Sequence, residues 1–226
     1  MVATSAIKGS AVNVGPLGLP GELAAPRHAA GLVVFAHGGG RRGSPRNRLV
    51  ARVLHEHGLG TLLFDLLTPQ EAVDRRLVFD IELMTQRVVD ALDWLRQRGT
   101  DAAGPALATR PVGLFGTSTG AAAALRASLQ RPAQVCSVVS RGGRADLVLP
   151  AQLARVLAPT LLIVGGADPE VLRLNQQVLR ALHCERRLEI VPGATRLFEE
   201  PGALDAVAQL AADWFAAHCG RLAWPP

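Results

Sequence analysis

From position 116 to position 120 the chain reads Gly-Thr-Ser-Thr-Gly, which sets the hydroxyl of Ser118 between two glycines. Short apolar residues, Val112-Gly-Leu-Phe, lead into this turn, and the helix-favouring run Ala121-Ala-Ala-Ala-Leu125 leaves it. A plain loop would match the five residues alone. The strand-like approach and helix-like exit make the stretch a nucleophile elbow, in which the serine stands on a strained backbone and the glycines permit close packing. Ser118 is therefore the candidate nucleophile. Acyl transfer to it needs a base for its proton, a carboxylate to orient that base, and N–H donors for the oxyanion.

The amide of Thr119, directly after the nucleophile, is one expected oxyanion donor. The second is expected from Gly38-Gly39-Gly40, with Gly39 the best placed, because glycines let backbone approach a substrate closely. His37 precedes these glycines and reads as a brace for their loop. The carboxylate follows the apolar run 160–164 in Gly165-Gly166-Ala167-Asp168. Asp146 competes from the loop after the preceding apolar run, but Asp168 lies closer to its strand end and is preferred.

Length and patterning indicate what holds these groups. The 226 residues are 49% hydrophobic and 19% charged, which suits one α/β domain over 1–226 with a large core. Residues 5–25 read as an edge hairpin, and apolar runs at 31–37, 61–66, 112–117, 133–140, 160–164 and 187–191 read as strands. Helical patterns cover 44–57, 79–98, 120 onward, part of 147–156, 168–182 and 201–218. Alternating strands and helices predict a mostly parallel central sheet with helices on both faces and functional loops beyond the strands' C-terminal ends. His37, Ser118, Asp146, Asp168 and Arg196 all fall in such loops.

Other classes of function find little support. The net charge is +5, yet Lys8 is the sole lysine and the 23 arginines are scattered without interleaved aromatics, so no nucleic-acid partner is expected. No phosphate-binding glycine loop and no C-x-x-C pair occurs, so neither a cofactor nor a metal is implied. Cys136, Cys184 and Cys219 are odd in number and far apart, and are expected as reduced thiols. The start of the chain lacks a secretory pattern and no apolar run is long enough to span a membrane; a cytoplasmic location and no membrane partner are expected.

Taken with Ser140-Arg-Gly-Gly-Arg144, Gly165-Gly-Ala-Asp168 and Val191-Pro-Gly-Ala-Thr-Arg-Leu-Phe-Glu-Glu-Pro-Gly202, the elbow and the His37 loop resemble the dienelactone-hydrolase-like group of α/β-hydrolases. The resemblance covers nearly the whole chain and implies an α/β-hydrolase fold with no cap domain. Only about twenty residues separate the strands near 140 and 160, too few for a sizeable lid. Two departures stand out. Dienelactone hydrolases proper use a cysteine nucleophile, whereas Ser118 points to carboxylic-ester chemistry. The resemblance also puts the catalytic histidine at position 196, which here is arginine.

A guanidinium stays protonated far above neutral pH and cannot act as general base. His55, His57, His183 and His218 are expected at ends of helices away from the site, His28 lies in an irregular edge region, and His37 sits in the bracing position. The first reading is a serine hydrolase of small carboxylic esters, with an acyl-enzyme at Ser118, Asp168 as acid, and weak or lost activity because of Arg196. The second is a non-catalytic protein that binds a small anionic ligand, with Arg196 gripping a carboxylate or phosphate helped by Arg41, Arg42, Arg141 or Arg144. Acyl transfer to an acceptor other than water is a third. His37, Gly38, Arg141 and Arg144 are expected on the substrate side. The simplest local role for Arg196 is an ion pair with Glu199 or Glu200. Oligomeric state cannot be read from the sequence.

Overall fold

Alternate residues of the central strands face opposite ways, as a period of two requires, and each set meets its own layer of helices. The computed structural model describes residues 7–37, 42–97 and 109–219. Its strands are β1 (Ser10–Val14), β2 (Leu19–Ala24), β3 (Leu32–His37), β4 (Gly60–Phe64), β5 (Val112–Thr117), β6 (Val135–Arg141), β7 (Thr160–Gly165) and β8 (Arg186–Val191). Its helices are α1 (Pro45–Glu56), α2 (Arg75–Val78), α3 (Ile81–Gln97), α4 (Gly120–Gln130), α5 (Pro150–Leu153), α6 (Pro169–Ala181) and α7 (Ala203–Cys219).

The eight strands form one sheet in the order β1-β2-β4-β3-β5-β6-β7-β8. Strands β3 to β8 run parallel, while the β1–β2 hairpin joins antiparallel beside β4. Leu32, Val34, Leu114, Val138 and Leu162 face a core completed by Met84, Val88 and Leu92 of α3, the alanines of α4, and Val178 of α6. Val33, Phe35, Phe115, Val139 and Ile163 face the other, completed by Val50 and Leu54 of α1 and by Val207 and Phe215 of α7. The central strands, covered on both faces, are largely apolar for that reason.

The architecture matches the sequence expectation of a mostly parallel sheet between helical layers, with no cap domain. Between β6 and β7 lie only the 3-10 turn Ala145–Leu147 and the single-turn α5. The helix expected from position 79 begins at Ile81, where Asp80 accepts the Leu83 amide at 2.9 Å. The preceding loop winds its own short helix, α2, opened by the Asp74 side chain on the Arg76 amide. Among the described residues, no helix is long and apolar enough to cross a membrane.

The expectation of three reduced thiols is overturned: Cys136 on β6 and Cys219 at the end of α7 form a disulfide. Their separation of 83 residues hid the pairing in the sequence. The fold creates it by laying α7 across the sheet, and two glycines let the helix come close. A side chain on Gly113 would begin 2.5 Å from the Phe215 ring, and one on Gly31 would begin 2.9 Å from Cys219 Cβ. Cys184 remains a free, half-buried thiol.

Candidate active site

At the end of β5 the backbone turns through Ser118 with φ 52°, the left-handed region that a residue with a side chain occupies at a cost of about 1–3 kcal/mol. Its neighbours leave no other path. A Cβ on Gly116 would stand 2.5 Å from Ala121 Cα, and one on Gly120 would stand 2.2 Å from the Ala36 carbonyl oxygen. Strand β3, strand β5 and helix α4 thus meet where only glycine fits, and the serine is left on the crest. The Ser118 carbonyl is held by the amides of Ala121 at 3.1 Å and Arg144 at 2.9 Å.

Thr119 has helical angles, and its hydroxyl lies 3.9 Å from Met84 Sδ on α3. Within the described residues no hydrogen bond occupies its N–H, the expected oxyanion donor. The other expected donor, Gly39, lies outside the described residues together with Gly38, Gly40 and Arg41. On either side of that segment the chain is pinned. His37 is buried and its Nε2–H donates to the Phe64 carbonyl at 2.9 Å, which leaves Nδ1 unprotonated. Burial holds its pKa below the usual value, so the ring is neutral. Arg42 returns to Asp65 through its amide, at 3.0 Å, and through its guanidinium.

The two candidate acids differ in what already holds them. Asp146 is gripped by Arg144 through three hydrogen bonds of 2.9 to 3.2 Å, so each neutralises the other. Asp168 has no ion pair among the described residues; its side chain caps α6 by accepting the Val171 amide at 3.2 Å. The turn after β6, which carries Arg144, is set from beneath by a residue with no place in the sequence reading. Asn175, buried on α6, donates to the Gly143 carbonyl at 3.0 Å. A lone asparagine on the apolar side of an amphipathic helix was its only sequence signal.

Position 196 is also built tightly. Gly165 leaves room for the Ala194 carbonyl, which would lie 2.3 Å from its Cβ, and that carbonyl accepts the Ala167 amide at 2.9 Å. The Arg196 carbonyl approaches Gly142 so closely that a Cβ there would be 2.9 Å away. Phe198, at φ 54°, plugs the loop into the core. The side chain of Arg196 is exposed and has no ion pair among the described residues, which corrects the expected pairing with Glu199 or Glu200. Glu199 is taken by Arg46 of α1 at 2.6 Å, and Glu200 accepts from Thr195.

Other histidines are engaged elsewhere. His55 meets Thr61 at 2.8 Å, His57 the Val53 carbonyl at 2.8 Å, and His218 the Trp214 carbonyl at 2.7 Å. His28 precedes β3 and His183 precedes β8, at the strands' N-terminal ends and therefore opposite Ser118. Among the described residues no histidine is hydrogen-bonded to Ser118; His37, beside Thr117 in the ladder, turns its Nε2 to Phe64 instead. Arg141, expected on the substrate side, ends β6 with its Cα beside that of Thr117, and its guanidinium lies 6.0 Å from the centre of the Phe115 ring. Its Nη1 is buried with no hydrogen-bond partner among the described residues.

No family model matches the chain. Its structure superposes with a TM-score of 0.86 on a dienelactone hydrolase of Anabaena variabilis, at 50% identity over 94% of this chain and 98% of that one. The chain belongs to the dienelactone-hydrolase-like group of α/β-hydrolases. A Xanthomonas campestris α/β serine hydrolase without a lid, 20% identical, has the same fold at a TM-score of 0.71 over 97% of each chain. A Mycobacterium tuberculosis protein provisionally named a phosphoribosyl transferase is 53% identical over 211 residues. Those residues are 92% of this chain and 46% of that protein, so this dienelactone-hydrolase-like chain spans about half the length of the curated relatives it matches.

Proposed function

We propose that the protein is a serine hydrolase of small carboxylic esters that works slowly because no histidine serves its nucleophile. The observation that carries this reading is the elbow: Ser118 is held at φ 52° by contacts that exclude any side chain at Gly116 and Gly120. A strained, raised serine beside an amide with no partner among the described residues suits attack on a carbonyl carbon. Ser118 Oγ attacks the ester, and the carbonyl oxygen gathers negative charge near the Thr119 and Gly39 amides. The intermediate then collapses, releasing the alcohol and leaving an acyl group on Ser118, which water removes.

Arg196 takes no proton in this sequence, so the serine proton passes to water. Asp168, without an imidazole to orient, stays a helix cap. Loss of one triad member still leaves roughly 10³- to 10⁴-fold acceleration over water from the oxyanion hole and binding. Hydrolysis of 4-nitrophenyl acetate by the native protein and by Ser118→Ala tests the proposal. Slow native turnover that disappears with Ser118 supports it, and turnover unchanged by Ser118→Ala rejects it. One observation favours a second reading, anion binding without turnover: Arg141 and Arg196 both lack ion pairs among the described residues. Native turnover at the background rate, with anions bound, would select it.

A further inference from the structure

We infer that the outer edge of β8 is a self-complementary surface on which a second copy of this chain docks, its own β8 running antiparallel, to give a two-fold dimer with one continuous sheet.

Strand β8 closes one side of the sheet and has only β7 beside it. The Thr160 amide donates to the Glu185 carbonyl and the Gly166 amide to the Val191 carbonyl, so the odd-numbered residues of β8 turn their backbone groups inward. Arg186, Leu188 and Ile190 turn theirs outward, where they meet no backbone partner among the described residues. Edges of this kind are ordinarily blunted by lysine, proline or a bulge. The β8 stretch Arg186-Arg-Leu-Glu-Ile-Val191 has none of these, and its ladder with β7 runs without a break. It carries instead one charge of each sign on a single face, Arg187 and Glu189, which pair with each other in the lone chain.

Charge selects the register. Outward groups of two copies meet only when an even-numbered residue faces an even-numbered one. With Leu188 opposite its own copy, Arg187 stands opposite Glu189 twice, in the positions without hydrogen bonds where Cα atoms approach to about 4.5 Å. Opposite charges there are favourable. The neighbouring registers set Arg187 against Arg187 or Glu189 against Glu189, which is repulsive.

Packing agrees with that register, because it also sets Ile190 opposite Arg186. Ile190 is 45% exposed, whereas Leu188, on the same face, packs against the core that α6 covers. Arg186 lines an open hollow with Leu179, Arg180, Cys184 and Glu185, where α6 passes into β8. Each copy thus presents an exposed isoleucine where the other has a hollow. A contact built from the same patch on both chains closes at two subunits.

Sedimentation equilibrium of the native protein and of two charge variants tests the surface. The native protein should sediment at twice its chain mass. Arg187→Glu sets acid against Glu189, and Glu189→Arg sets base against Arg187, so each variant alone should associate about ten-fold or more weakly. An equimolar mixture of the two should recover a dimer, since an acidic edge then faces a basic one. Mixing cannot restore the pair within one chain, so recovery reports a contact between chains and shows that both variants are folded. Ile190→Asp should also weaken the native dimer. A native protein that stays monomeric, a dimer that neither charge variant weakens, or a mixture that remains monomeric overturns the inference.

Discussion

The amide of Ala167 donates to the carbonyl of Ala194 at 2.9 Å, which ties the loop of Asp168 to the loop of Arg196. Gly165 makes the bond possible by leaving space for that carbonyl. The two loops are thus held together whatever side chain stands at position 196. In the proposed reaction an acid at Asp168 and a base at position 196 would share this frame, and position 196 carries an arginine.

Arg196→His should therefore raise Ser118-dependent hydrolysis of 4-nitrophenyl acetate by about 10²-fold or more, the usual scale of general-base assistance. The gained activity should climb with pH through about 6.5, as an imidazole loses its proton. It should fall again when Asp168→Asn is added. A gain that persists in Ser118→Ala, or a rate independent of pH between 5 and 8, would show that the histidine is not serving the serine.

The elbow makes a prediction about stability. In Gly120→Ala the new methyl would begin 2.2 Å from the Ala36 carbonyl oxygen, a backbone atom of β3 that cannot rotate away. Overpacking of this kind costs about 1–3 kcal/mol, and the better helix propensity of alanine returns about 1 kcal/mol at most. A net loss of about 1–2 kcal/mol corresponds to about 2–8 °C in a domain of this size. Gly43→Ala, whose nearest neighbour is the flexible Arg48 guanidinium at 3.3 Å, should leave the melting temperature nearly unchanged. Equal thermal scans for the two variants would contradict the packing at the elbow.

Much of this arrangement was legible beforehand, and the parts that were not share a cause. Strand-length apolar runs and the glycines around Ser118 encode their structure locally, so the parallel sheet and the elbow could be read from neighbours in sequence. The fate of a charged side chain depends on distant partners. Nothing near Arg196 says that Glu199 is claimed by Arg46, 153 residues away. Nothing near Arg141 says that Asp146 turns to Arg144 instead. Asn175 supports the Gly143 turn from 32 residues away for the same reason.

His37 and His55 should make the protein less stable in mild acid. Burial is the main cause that lowers the pKa of both. Asp65 partly opposes it at His37, as do Glu22 and Glu56 at His55, while Arg42 adds to it at His37. Above about pH 6.5 both rings are neutral in the folded and unfolded chain, and the full stability is present. Below it the unfolded chain takes up protons first, so stability falls by up to about 1.4 kcal/mol per pH unit for each histidine until the folded value is reached. Urea denaturation at pH 7.5 and 5.5 should show the loss, and His37→Gln should reduce it. The lowered carboxyls of Glu71 and Asp93 act only at lower pH and do not enter this window. An identical loss in His37→Gln would rule out His37 as a source.

The disulfide offers a last test, because the chemistry of three cysteines distinguishes it from a mere approach of two thiols. Cys136 and Cys219 close a stretch of 83 residues between β6 and the last turn of α7. Cross-links of that span stabilise proteins by typically 2–4 kcal/mol, largely by restricting the unfolded chain. Oxidised protein unfolded in guanidinium without reductant should take up one iodoacetamide label, at Cys184, and three after reduction. Reduction should also lower the melting temperature, and Cys219→Ser should lower it similarly while making it insensitive to reductant. Three labels without reductant would mean that the cysteines meet as thiols. The sequence expectation would then stand at that site, and α7 would be held by its packing alone, with Val207, Ala211 and Phe215 in the core.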